Sequence, residues 1–290
     1  MIGTILAVFF GLAIIGVPVG IVVALTTIFG FIYTENTVFF SMISQRMFSA
    51  MDSFTFLALP FFLLAGDIMN KVGLTVRLVD FSNLFFGRLK GGLAQVNIVT
   101  SIIFGGISGA AVADTAALGR IFIPSMTQQG YGRDFSTAVT VASSIIAPII
   151  PPSIIMVLYG SIMEVSIAGL FAAGIVPGLL IGVILMIMTR YISGKRNYPT
   201  NPEQITIKRL IERTKGAMWA LMMPVIILGG ILGGIFTPTE AAAIAVGFAL
   251  FVGLIIYRNL TFKDLYDIFF KCSVTIGVIT LLLSAATVLA

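Results

Sequence analysis

The chain has 290 residues, of which 58% are hydrophobic and 10% charged, with no His, one Cys and a formal net charge of +5. A mean hydropathy of +1.10, with well under the charged fraction of about a quarter that soluble domains carry, excludes an ordinary soluble protein. Without His, and with only Cys272, protein-ligated haem, zinc or copper, an internal disulfide and His acid–base catalysis are excluded, so no resident cofactor is expected. The pI near 9.5 does not signal nucleic acid, because the positive charge sits in short connectors between apolar runs. The reading is an all-α integral membrane protein.

A spanning helix needs about 20 apolar residues. Residues 1–33 carry no charge and are too long for one untilted helix; Gly16-Val-Pro-Val-Gly20 divides them into short helices near 2–16 and 19–33. No basic stretch precedes this run, so no signal peptide is visible. Residues 36–50 mix Phe39, Phe40, Met42 and Met47 with Ser41, Ser44, Gln45 and Arg46, which suits an amphipathic helix lying in the interface. Further spans are expected near 53–70, 135–160, 167–189, 217–236, 239–257 and 272–290, with an amphipathic stretch at 261–271. The connector 190–215 holds Arg190, Lys195, Arg196, Lys208, Arg209, Arg213 and Lys215 against Glu203 and Glu212, and is expected in the cytoplasm. The connector 71–90, with Lys71, Arg77, Arg88 and Lys90 against Asp80, is expected on the same side.

Counting back from 190–215 puts residues 120–134 in the cytoplasm too. The apolar segment 91–119 therefore joins two cytoplasmic connectors and must enter and return on one side. A re-entrant hairpin is expected, with its tip in Gly105-Gly-Ile-Ser-Gly109, where glycines permit a tight reversal. The run Ala147-Pro-Ile-Ile-Pro-Pro-Ser153 breaks the helix at 135–160. From Gly91 to Ser108 and from Asp134 to Pro151 is 17 residues each, about 25 Å at helical rise, so both breaks fall at similar depth. Half-helices ending there present carbonyls to a small hard cation, and those beginning there favour an anionic group. Asp114, in the return arm, is the carboxylate most clearly at membrane depth and a candidate site residue; a local helix-start role is the alternative. Thr237-Pro-Thr-Glu240 reads as a capping box, hence structural. Asp52 and Asp134 read as caps.

The order of elements restarts after the basic connector. Pro18 and Pro238, like Ser53 and Ser273, stand 220 positions apart, and the second unit starts on the opposite side, as in an inverted-repeat transporter. The expected division is a first repeat unit at 1–165 (scaffold helices 1–70, hairpin 91–119, broken helix 135–160), a connecting helix and basic loop at 166–215, and an incomplete second unit at 216–290. Because the chain stops inside an apolar run, a longer parent is expected, with a second hairpin near 311–340 and a second broken helix near 355–380.

The motifs Gly106-Ile-Ser-Gly-Ala-Ala-Val-Ala-Asp-Thr-Ala-Ala-Leu-Gly119, Ile123-Pro-Ser-Met-Thr-Gln-Gln-Gly-Tyr131, Ile146-Ala-Pro-Ile-Ile-Pro-Pro-Ser153, Gly234-Ile-Phe-Thr-Pro-Thr-Glu-Ala241 and Leu59-Pro-Phe-Phe-Leu-Leu-Ala-Gly-Asp67 together resemble the large membrane subunit of tripartite ATP-independent periplasmic (TRAP) transporters. The resemblance implies a multi-pass protein of the bacterial inner membrane. It implies sodium-driven uptake of an organic anion such as a C4-dicarboxylate, sialic acid or another sugar acid. A periplasmic binding protein would deliver the substrate, a small four-helix membrane subunit would be the partner, and the hairpins and broken helices would move as an elevator. It further implies that Ser108 and Gly109, with the Ala147–Ser153 break, form a sodium site and part of the substrate cradle. The full set of expected sodium and substrate residues is Gly106, Ser108, Gly109, Asp114, Ser144, Ala147, Pro151, Pro152 and Ser153, with sodium expected through Ser108, Gly109, Ser144, Ala147 and Pro151. Alternatives are a free-standing sodium–anion symporter and a non-transporting scaffold subunit. An enzyme would need paired carboxylates, His or a Ser–Lys pair at depth, and the sequence offers none.

Overall fold

The structure is a computed structural model describing residues 2–35, 37–200 and 206–289. Met1, Asn36, residues 201–205 (Glu203 of the basic connector among them) and Ala290 lie outside the described residues. All regular structure among the described residues is helical.

Helix α1 (Ile2–Ile14) ends before Pro18, which cannot donate an amide and stands at the N-cap of α2 (Val19–Tyr33). A 3-10 turn (Thr37–Phe39) leads into the amphipathic α3 (Phe40–Met51), which Asp52 closes. A second 3-10 turn (Phe54–Leu57) runs into α4 (Ala58–Lys71). Then come α5 (Leu74–Phe86), α6 (Gly92–Ser108), α7 (Ala111–Gln128), α8 (Arg133–Ser144) and α9 (Ile154–Ile162). The chain continues as α10 (Ile167–Lys195), α11 (Ile207–Leu232), α12 (Pro238–Phe251) with a π-helical turn at Val252–Ile256, and α13 (Phe262–Leu289). Among the described residues, five helical stretches are long and apolar enough to cross a membrane: Phe54–Lys71, Ile167–Lys195, Ile207–Leu232, Pro238–Ile256 and Phe262–Leu289. Helices α1, α2 and α6 are apolar but shorter.

Several expectations change. The connector 71–90 contains the helix α5: Leu74, Leu78 and Ser82 recur at helical spacing and are buried, while half-buried Arg77 and exposed Asp80 dominate the sequence signal. The connector 190–215 is likewise partly helical, as α10 reaches Lys195 and α11 starts at Ile207. Residues 261–271 and 272–290 are not separate elements. One helix, α13, passes through Ser273 without the break seen at Ser53, its start capped where Asp264 accepts from Thr261 N–H and Oγ1. Asp134 is the second residue of α8, whose N-cap is Gly132, so it complements the helix dipole rather than capping. The Thr237 box is present in full: Thr237 Oγ1 accepts from Glu240 N–H, Glu240 accepts from Thr237 N–H, and Pro238 opens the helix.

Contacts group the chain into two compact units. In the first, residues up to Leu57 with those from Phe270, α2 meets α1 where Ile5 packs on Gly30, and the ring of Phe31 lies 5.6 Å from Phe39 and 5.9 Å from Phe40. Gly20 leaves room for Leu281. In the second, Ala58–Phe269, α4 packs along α12, α5 packs on α6 and α11, and α6, α7 and α8 share a core of Leu93, Val96, Leu118, Phe122, Met126 and Val139. Lys71 Nζ pairs with Asp264 at 2.7 Å, and Asn259 Nδ2 donates to the Val72 carbonyl, joining the end of α4 to the segment after α12. On α10, Gly174, Gly178 and Gly182 form a stripe against Ile149, Ile150 and Ile102, a small-residue face that brings α10 close to the broken helix and the hairpin.

Candidate functional site

The hairpin reverses at Gly109 and Ala110, later than the glycine-rich tip expected. Gly105 and Gly106 lie inside α6. A Cβ on Gly105 would sit 2.8 Å from Ala147 Cα, and one on Gly106 would sit 3.4 Å from the Pro151 carbonyl oxygen. Their work is close packing against the broken helix. Gly109 alone has left-handed backbone, φ 60°, and its N–H closes α6 onto the Gly105 carbonyl at 2.9 Å.

Tip and break meet. The Ile154 N–H points to the Gly109 carbonyl at 3.4 Å. A Cβ on Gly109 would lie 2.6 Å from the Pro152 carbonyl oxygen and 3.2 Å from Ser153 Cα. Thus Gly106, Ser108, Gly109, Ala147, Pro151, Pro152 and Ser153 occupy one neighbourhood. Two helices end there, α6 at Ser108 and α8 at Ser144, and two begin there, α7 at Ala111 and α9 at Ile154. Gly66 of α4 approaches the same point, 3.4 Å from the Ile107 carbonyl measured from a Cβ position.

The side chains divide by how well they are satisfied. Ser153 is the N-cap of α9: its Oγ accepts from Met156 N–H at 3.3 Å and donates to the Pro148 carbonyl at 2.6 Å. Ser144 Oγ donates to the Thr140 carbonyl at 2.8 Å. Ser108 Oγ is buried at the end of α6 with no hydrogen-bond partner. Asp114, in the first turn of α7, is fully buried beside the hydroxyls of Ser101 and Ser144. Each hydroxyl has one proton, and these go to Ser143 Oγ and the Thr140 carbonyl, so neither carboxylate oxygen receives a hydrogen bond. Asp114 caps nothing, and the N-cap of α7 is Ala110. A carboxyl buried this way either stays neutral or meets a positive partner.

A polar seam missing from the expectations joins α6 to α8. Asn97 Nδ2 donates to Thr140 Oγ1 at 2.8 Å, and Ser101 Oγ to Ser143 Oγ at 2.9 Å. Gln95 Nε2 reaches the Met186 carbonyl of α10 at 2.9 Å. Asn97 Oδ1, Thr100 Oγ1 and Gln95 Oε1 are buried acceptors left without donors. The signal was available in the helical spacing of Asn97 and Ser101, matched by Ser136, Thr140, Ser143 and Ser144 on α8.

A sequence profile described as "Tripartite ATP-independent periplasmic transporter, DctM component" matches residues 6–290. The chain is 40% identical over 288 residues to the sialic acid TRAP transporter large permease protein SiaM of Vibrio cholerae, covering 99% of this chain and 67% of that protein. It is 39% identical to the sialic acid TRAP transporter permease protein SiaT of Haemophilus influenzae, covering 94% of this chain and 44% of the relative. With the C4-dicarboxylate TRAP transporter large permease protein DctM of Pseudomonas aeruginosa the identity is 39%, over 76% of this chain and 51% of the relative. The chain thus spans between about two fifths and two thirds of the length of these relatives. They are named as transporter permeases rather than enzymes, and with the apolar helices they place the protein in the bacterial inner membrane. The chain belongs to the DctM family, the large membrane permease component of tripartite ATP-independent periplasmic transporters.

Proposed function

We propose that this chain forms the first half of the site of a sodium-coupled organic-anion carrier. The observation that carries the reading is the meeting of the hairpin tip with the broken helix, where two helix C-termini and two helix N-termini converge on buried polar groups without partners. Carbonyls at the ends of α6 and α8, with Ser108 Oγ and the Gly109, Ala147 and Pro151 backbone, suit a sodium ion travelling as co-substrate. The starts of α7 and α9 favour a carboxylate. Asp114 and Ser144 supply further oxygen ligands behind the tip. The substrate class is a small organic acid: relatives are named for sialic acid, C4-dicarboxylates, isethionate and 2,3-diketo-L-gulonate, all carrying an acidic group.

In the same reading a periplasmic binding protein delivers the anion and a small membrane subunit accompanies the permease; the relatives named simply as permease proteins include one called DctMQ. Pro18 and Pro238, standing at the N-cap and first position of their helices, are the related points of an inverted repeat. The hairpin and broken helix, linked by the polar seam, move as a body past a scaffold. Full-length protein in liposomes, with its binding protein and a panel of organic acids, tests this. Uptake should require both sodium and the binding protein. Sodium-independent uptake would refute the coupling, and uptake without the binding protein would favour a free-standing symporter. Topology is checked with cysteines at Lys90 and Gln128, both exposed, in a Cys272→Ser background: both should react with a reagent from the cytoplasm.

A further inference from the structure

Away from the hairpin, α5 and α11 flank a cavity open to the surface, of about 390 Å³, lined by Arg77, Asp80, Arg209, Glu212, Arg213 and Gly216. That volume lies in the range of small-ligand sites, roughly 300–1,000 Å³. The lining carries three guanidiniums and two carboxylates, a formal excess of one positive charge. We propose that this cavity binds a phosphate oxyanion, and specifically the phosphodiester of an anionic phospholipid headgroup.

Arg77 is held in place before any ligand arrives. Its Cζ lies 3.8 Å from the centroid of the Tyr257 ring, and Tyr257 OH donates to the Gly216 carbonyl at 2.9 Å, at the cavity wall. This fixes one planar fork at the cavity, which lowers the ordering cost of binding. Such forks match the oxygens of a phosphate, singly or in pairs. The single excess charge complements a singly charged diester better than doubly charged free phosphate.

The position points to lipid. Arg209 and Arg213 lie in the first two turns of a helix long and apolar enough to cross a membrane. Next to these arginines in sequence, Val76, Ile207 and Ile211 are exposed, being 53%, 76% and 50% accessible, as side chains meeting acyl chains or headgroups are. Basic pockets between helices at the cytoplasmic boundary take lipid phosphates in this way. Helix α5 also packs on α6, the entering arm of the hairpin, so a headgroup seated here braces that arm from behind.

The test uses full-length protein purified in detergent, with bound lipid counted by native mass spectrometry. Phosphatidylglycerol should bind more tightly than phosphatidylcholine. An Arg77→Gln/Arg213→Gln double variant should lose affinity for it by an order of magnitude or more, at roughly fivefold per arginine. Lys195→Gln, an exposed cation on α10, should change nothing. If the double variant does not fold, Arg213→Gln alone, which leaves the Tyr257 stack intact, should show about a fivefold loss. Equal phosphatidylglycerol binding by the arginine variants and the Lys195 control would overturn the site. Inorganic phosphate displacing the lipid at equal concentration would overturn the lipid as occupant.

Discussion

Two of the proline breaks in this chain, at Thr237-Pro238 and at 145–153, are built on opposite principles. At Thr237-Pro238 the helix start is capped locally: Thr237 and Glu240 cap each other's amides, and the segment is largely exposed. At 145–153 the break is mostly buried, and next to it Ser108 Oγ and both Asp114 oxygens have no donor. The same residue type therefore marks a self-sufficient helix start in one place and a buried site with unpartnered polar atoms in the other. Proline locates a break; the hydrogen-bond account around it separates architecture from function.

The contrast can be broken most directly at its two left-handed glycines. Gly109→Ala adds left-handed strain of roughly 1–2 kcal/mol to a clash with the Pro152 carbonyl costing about 1–3 kcal/mol more. Uptake should be lost and the thermal midpoint should fall clearly. Normal transport by this variant would mean that tip and break do not need their close contact. Next in size, Ser108→Ala and Pro151→Ala should raise the half-saturating sodium concentration by about tenfold, the low end for a lost partner at a metal site, with little change in stability. Sodium titrations that overlay the parent curve would return both residues to packing.

Smaller effects belong to the other break. Gly234→Ala has the same left-handed cost, as φ is 70°, but nothing lies within 4 Å of the added methyl. It should lose only roughly 1–2 kcal/mol, seen as a modest melting shift with uptake preserved. Thr237→Ala should cost about 1 kcal/mol as other lost caps do, again without changing sodium dependence. Should Thr237→Ala abolish uptake in a folded protein, the second break would be as functional as the first.

The capping box was legible residue by residue because its chemistry is local: Thr, Pro and Glu at fixed spacing act within one turn. The hairpin was legible as an element, but its turn was placed too early. Gly105 and Gly106 look like turn glycines until Ala147 and Pro151 are seen packed on them, and no spacing in one chain reveals a neighbour 40 residues away. Helix α5 was hidden because its outward charges outweigh a buried stripe too short for a span. The continuity of α13 was hidden for the reverse reason, since its polar first turns resemble a separate interfacial piece. The polar seam escaped because Asn97, Ser101, Thr140 and Ser143 are individually commonplace. Only their pairing across two helices gives them meaning.

That seam also bears on the order of events during synthesis in the bilayer. As α6 leaves the ribosome, Gln95, Asn97, Thr100 and Ser101 have no partners, and hydrocarbon offers none. The groups that answer Gln95, Asn97 and Ser101, namely the Met186 carbonyl on α10 and Thr140 and Ser143 on α8, emerge some 40 to 90 residues later. The hairpin therefore has reason to stay near the translocon or the wet interface until α8 and α10 are made. The docking of α6 against α8 and α10 is then a late step, set by polar pairing rather than by hydrophobicity alone.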